Sequence, residues 1–169
     1  MGELAAHGLT VQTPSGWEGR IFRRLQHGQV ASSSTDHGPA APAGEETFPI
    51  LHVATIAIPT DVGDYGSHAV ENLGPSDALV VVKEFAPRLA TEPVFATPGL
   101  PRSLDVDAFS PQMLQRILPG QAGVQRFGHE AGRAFCLYVV LGGWKNRKQV
   151  VPAVNGVLAS LRIEPVAQP

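Results

Sequence analysis

The sequence predicts an α+β fold, a mainly antiparallel sheet with a helix closing the chain. Short apolar runs of strand length recur between Gly, Pro, Asn and Asp clusters, as strands bounded by turns should. Near the C-terminus the period changes, and Val150, Val154, Val157, Leu158 and Leu161 fall on one helical stripe. Composition agrees with both. The 169 residues are 43% hydrophobic and 17% charged, with 18 Gly and 15 Pro, which suits one core joined by many irregular connections. Residues 1–169 therefore read as a single domain, and a coiled coil, a collagen-like rod and a fully disordered chain are excluded.

Leu9–Thr13 alternates apolar and polar residues, the pattern of a half-buried strand. Pro14-Ser15-Gly16 supplies a turn, and Trp17–Arg23 is expected to return as a second strand. From 28 to 46 the pattern collapses into a Ser-, Pro- and Gly-rich tract with almost nothing to bury. Ordering costs about 1–2 kcal/mol per residue in backbone entropy, so a flexible insertion is expected there. Ile50–Ile58 is a strand, either buried on both faces or bulged, and a short helix is expected at Ser67–Leu73. Ala78–Phe85 carries a continuous β-branched run, which marks a central strand. Thr91–Asp107 is broken by prolines and reads as an irregular connection. Ser110 with Pro111 marks a short helical turn, Ser as cap and Pro at the first position. Strands follow near Gly123–Phe127 and Ala134–Leu141, joined by a turn at His129–Gly132. The final helix is expected to start at an Asn146/Gln149 capping pair. Pro152 should fall in its first turn, and Gly156 should allow close approach to the sheet.

The opening Leu9-Thr10-Val11-Gln12-Thr13-Pro14-Ser15-Gly16-Trp17 resembles the "strand, Pro, x, Gly, Trp" start of Mog1/PsbP-like domains. The closing Val157-Leu158-Ala159-Ser160-Leu161-Arg162-Ile163 resembles their last helix, and small bacterial proteins share the pattern. The resemblance implies an αβα sandwich and an accessory role exercised by docking to partners. It carries over no catalytic motif.

Partners are bounded by charge and apolar run length. A net charge of −2 offers no long-range attraction to nucleic acid. No apolar run approaches the roughly 20 residues of a membrane span, and no secretory signal opens the chain, so a cytoplasmic location is expected. The lone Cys136 excludes an internal disulfide and a Cys-based zinc cluster. It lies in an apolar strand, where a thiol packs rather than reacts. His129-Glu130 lacks the second histidine of a zinc-protease helix, since Arg133 stands in its place. Serine-hydrolase and nucleotide-binding fingerprints are missing, and no cofactor is expected.

Two candidate sites remain. Asp61, Asp64 and His68 combine hard oxygen ligands with an imidazole and could meet around a divalent cation, or else sit in a turn beside a helix N-terminus. Phe95, Leu100 and Arg102 are apolar and Arg residues of the kind that anchor protein interfaces. Arg20, Arg23 and Arg24 form one basic patch and Lys145, Arg147 and Lys148 another, suited to an acidic surface or to solvent. The expectation is a non-catalytic accessory or protein-interaction module with an unidentified protein partner, or a homo-oligomer. The alternative is a small-ligand or divalent-metal protein, with or without catalysis, acting near Asp61–His68.

Overall fold

A computed structural model of the chain describes residues 1–27 and 40–167. Strands β1 (Gly2–Ala6), β2 (Leu9–Thr13) and β8 (Arg162–Ile163) form a small antiparallel sheet in the order β1-β2-β8. Strands β3 (Glu18–Phe22), β4 (Ile50–Ala54), β5 (Ala78–Phe85), β6 (Ala122–Glu130) and β7 (Arg133–Leu141) form the main sheet. It is antiparallel throughout, in the order β3-β4-β5-β7-β6. Helix α1 (Arg147–Ser160) closes the chain before β8. The class is α+β, mostly sheet, with the C-terminal helix packed on it.

The Pro14–Trp17 turn closes through Trp17 N–H to Pro14 O at 3.1 Å, with Gly16 at φ +81°. It does not fold β3 back onto β2 as the alternation suggested. It carries the chain from the small sheet to the main one. β1 and β8 lie outside the elements that periodicity predicts, because neither carries enough apolar residues to show a pattern. Within the expected insertion at 28–46, residues 28–39 lie outside the described residues. Just beyond them Ala41 is buried and donates its N–H to Leu25 O at 2.8 Å.

β4 is buried at all five positions, so both its faces are covered. It stops at Ala54, because Thr55 bonds across to Ala78 O and to the Asp77 carboxylate. The helix expected at 67–73 shrinks to a single 3₁₀ turn at Val70–Asn72. Gly66 and His68 both hold left-handed φ, of +83° and +72°, and such residues interrupt a right-handed helix. Ser110 caps the short turn Pro111–Met113 by accepting from Gln112 N–H, as expected. β6 and β7 are joined by Ala131-Gly132, both at positive φ, the primed turn that matches strand twist.

α1 buries Val150, Val151, Val154, Val157 and Leu158 against the sheet. Each such side chain is worth about 1.5–3 kcal/mol, which outweighs the roughly 3 kcal/mol cost of Pro152. That proline sits at the sixth helical position, not in the first turn, and on the exposed face. Asn146 does not cap the helix; its side-chain amide donates to Pro75 O at 3.1 Å. Gly156 faces open space, so the expected close approach to the sheet does not occur there.

Two cores flank the main sheet. One joins its inner face to α1 and β2, with Leu100, Leu104 and Phe109 of the irregular connection completing it. The other covers the opposite face with Ile58, Val62, Val70 and Leu73 from the chain between β4 and β5, and Leu114 from the chain before β6. That second layer is irregular chain with 3₁₀ turns.

One buried ion pair ties the two sheets together. Arg133 and Glu84, 2% and 3% exposed, meet in a fork, Nε to Oε1 at 2.9 Å and Nη2 to Oε2 at 2.7 Å. The same guanidinium donates to the carbonyls of His7, Gly8 and Glu164. A buried charge is tolerated when fully paired and hydrogen-bonded, and this one bridges β5, β7, the β1–β2 turn and the segment after β8.

Candidate functional site

The residues singled out from the sequence do not gather as expected. His68 and Asp61 pair on the surface, Nδ1 to Oδ2 at 2.9 Å. Asp64 turns away from them to meet Arg24 and Lys83. Among the described residues no three His, Cys, Asp or Glu side chains are grouped to hold a metal ion. Phe95 is 4% exposed and packs against Phe85 and Phe127, with ring centroids 5.3 and 5.7 Å away. Leu100 is buried in the inner core. Arg102 donates to Leu100 O and pairs with Glu130 at 2.6 Å. The Thr91–Leu104 stretch thus commits Phe95, Leu100 and Leu104 to the fold, while Val94 stays exposed. It is an irregular connection, as its prolines suggest, and it is laced to β6 through Gly99 N–H to His129 O and His129 N–H to Thr97 O.

Two of the concave regions among the described residues lie at opposite ends of the main sheet. The first is a cavity of about 460 Å³ at the end of β5, with Arg24, Asp64 and Lys83 among its lining residues. Each of these three side chains is about one-fifth exposed. Arg24 follows β3, Lys83 lies on β5, and Asp64 sits in the turn that Gly66 presses onto Leu79. Arg24 Nε lies 2.7 Å from Asp64 Oδ1, but off the N–H axis, so neither atom makes an aligned hydrogen bond. Lys83 Nζ also lies over the rings of Tyr65 and Phe85, at 5.6 and 5.4 Å.

Three buried or half-buried titratable groups beside this cavity are shifted away from neutrality. Burial pushes the Cys136 thiol up to about 11, against hydrogen bonds from Gln125 and Tyr65 that pull the other way. Burial, then the neighbouring Cys136 and Asp64, raises the Tyr65 phenol well above its ordinary value. His52 is fully buried, and desolvation lowers it to about 4 against the stabilising Asp64 carbonyl. Its Nε2–H donates to that carbonyl at 3.0 Å, which leaves Nδ1 without a partner. None of these groups titrates near neutrality, where a general acid, base or thiolate nucleophile would have to work.

The second region is an apolar groove of about 580 Å³ at the other end of the sheet. Pro75, Pro111, Leu118, Pro119 and Ile117 wall it, and Trp144 stands at its side. Its shape depends on two glycines that end β7. A Cβ on Gly142 would sit 1.9 Å from Gly74 O, and one on Gly143 would sit 2.4 Å from Pro75 O. The chain can therefore turn tightly against Gly74-Pro75 and leave the groove open beside it. Ile117 is 67% and Trp144 41% exposed, two of the few large apolar side chains the fold leaves in water. The Arg147 guanidinium lies 4.0 Å from the Trp144 ring centroid and fixes the indole by a cation–π contact. Lys145 lines the groove, Lys148 is exposed, and among the described residues the lining includes no carboxylate. The basic patch at 145–148 was visible in the sequence. The groove was not, since residues 75, 117 and 144 meet only through the sheet topology.

Comparison with protein-family models, curated proteins and solved structures finds no match to this chain.

Proposed function

We propose that this chain is a non-catalytic protein-interaction module whose Trp144 groove docks an apolar segment of a partner protein, with an acidic residue beside the apolar anchor. The observation that carries it is the exposure of Trp144 and Ile117 at a groove lined, among the described residues, by Lys145 and by no carboxylate. Monomeric proteins seldom leave large apolar side chains together in water unless something covers them. Trp is the residue most often found at the energetic centre of an interface. The groove volume lies within the roughly 300–1,000 Å³ of ordinary binding pockets. Lys145 at the rim favours an acidic partner segment, chiefly through association rate and orientation. A docking role is also what the Mog1/PsbP-like resemblance implies.

Selection from a random synthetic peptide library tests the proposal. Enriched peptides should combine an aromatic or aliphatic anchor with Asp or Glu. Trp144→Ala should weaken their binding, and Lys145→Glu should slow their association. Selected peptides that bind Trp144→Ala as tightly as the wild type would overturn it.

A further inference from the structure

We propose a second, independent site: the cavity at the Lys83 end binds a small organic carboxylate, its head between Arg24 and Lys83 and its apolar body against Phe48 and Phe85. Charge stoichiometry supplies the first argument. Among the described residues Asp64 is the carboxylate that both cations share. A guanidinium offers five donors and an ammonium three, whereas one carboxylate accepts about four hydrogen bonds. The misaligned Arg24–Asp64 contact leaves the set less satisfied still. A second carboxylate would bring the floor to two cations and two anions.

Position supplies the second argument. The other charges of the cavity stand at its rim or are already engaged. Arg88 and Glu46 pair there at 71% and 62% exposure, and Glu45 is exposed beside them. Glu84 is held by Arg133. Solvent screens the rim strongly and the floor far less, so the floor decides which charge the cavity favours. The walls supply the third argument. Phe48, Phe85 and Leu89 are partly exposed along the same cavity, over the buried Ile50 and Ala86, and an apolar body would cover them. An inorganic anion would satisfy the floor and leave those walls wet.

Titration of the intact protein with octanoate and with 4-phenylbutyrate, followed by backbone amide shifts and thermal melting, tests the site. Octanamide keeps the body without the charge, and inorganic phosphate keeps a charged head without the body. Both carboxylates should saturate at millimolar concentration or below, move amides around Asp64 and Lys83, and raise the melting temperature. Octanamide and phosphate should each bind at least about tenfold more weakly. Arg24→Gln should lose about tenfold in carboxylate affinity, with Arg24→Lys recovering part of it. Asp64→Asn should bind carboxylates more tightly than the wild type, because it removes the competing anion. A merely structural role for Asp64 would not produce that gain. Equal binding of octanamide, unchanged affinity in Arg24→Gln and Asp64→Asn, or no saturation with either carboxylate would each overturn the proposal. The wild-type comparison needs no variant to fold. The groove and the cavity share no lining residue, so either proposal can fail alone.

Discussion

The two ends of the main sheet treat surface in opposite ways. At the Lys83 end charges are concentrated, in two arrangements only one residue apart along β5. Glu84 points to a buried fork with Arg133, in which acid and base are matched and the remaining donors find carbonyls. Lys83 points to the other face, where two cations share one carboxylate beside a cavity. At the Trp144 end, some seven strand residues away at about 3.3 Å each, the groove is apolar and charge is confined to its rim. The contrast teaches that pairing and burial together separate a structural charge from one left for a ligand. A matched, dry pair has no donors to spare, whereas an unmatched, partly exposed one does.

The largest expected effect breaks the matched pair. Arg133→Met should cost about 3–5 kcal/mol of unfolding free energy in urea, because Glu84 is left buried and alone. Arg133→Met combined with Glu84→Leu should recover most of that loss. If the single variant is as stable as the wild type, the fork is not what ties the sheets together.

The next effect sharpens the Lys83 end through pH. His52 is held near 4 in the folded chain against an ordinary value of 6.5, so below pH 6.5 the unfolded state takes the proton first. Stability should therefore fall as pH drops from about 6.5 to about 4, by roughly 3 kcal/mol from this residue. His52→Leu should remove that part of the slope in urea titrations across the range. An unchanged slope would mean that His52 is not held neutral.

At the Trp144 end, Trp144→Ala should weaken binding of a selected acidic peptide by about 2 kcal/mol, a typical interface hot spot, with little change in unfolding. The smallest effect serves as a control remote from both ends. Gly156→Ala fills open space on the exposed face of α1 and should stabilise the chain by about 0.5–1 kcal/mol in the same unfolding assay.

Much of the fold was legible because periodicity reports burial directly. β2, β5, β7 and the α1 stripe lie where alternation, a continuous β-branched run or helical spacing placed them. β1 and β8 were not legible, since they borrow their place from pairing with β2 rather than from an apolar pattern of their own. Gly156 and Asn146 show the limit of local rules. The same residues that signal close packing or a cap in isolation face solvent and a neighbouring turn here. The sites were less legible still. Asp61, Asp64 and His68 are close in sequence, but side-chain direction splits them, and the partners that claim Asp64 come from β5 and the end of β3. Phe95 and Leu100 looked like free anchors because a proline-rich stretch hides the core that it covers.

Docking at the Trp144 groove can be followed by amide and indole N–H spectra during titration with a selected apolar–acidic peptide. Docking there should give a saturable shift of the Trp144 indole and of the Gly120 and Lys145 amides, while amides around Asp64 and Lys83 stay still. A Trp144 indole that does not move while the peptide binds, or shifts confined to the Lys83 end, would contradict it.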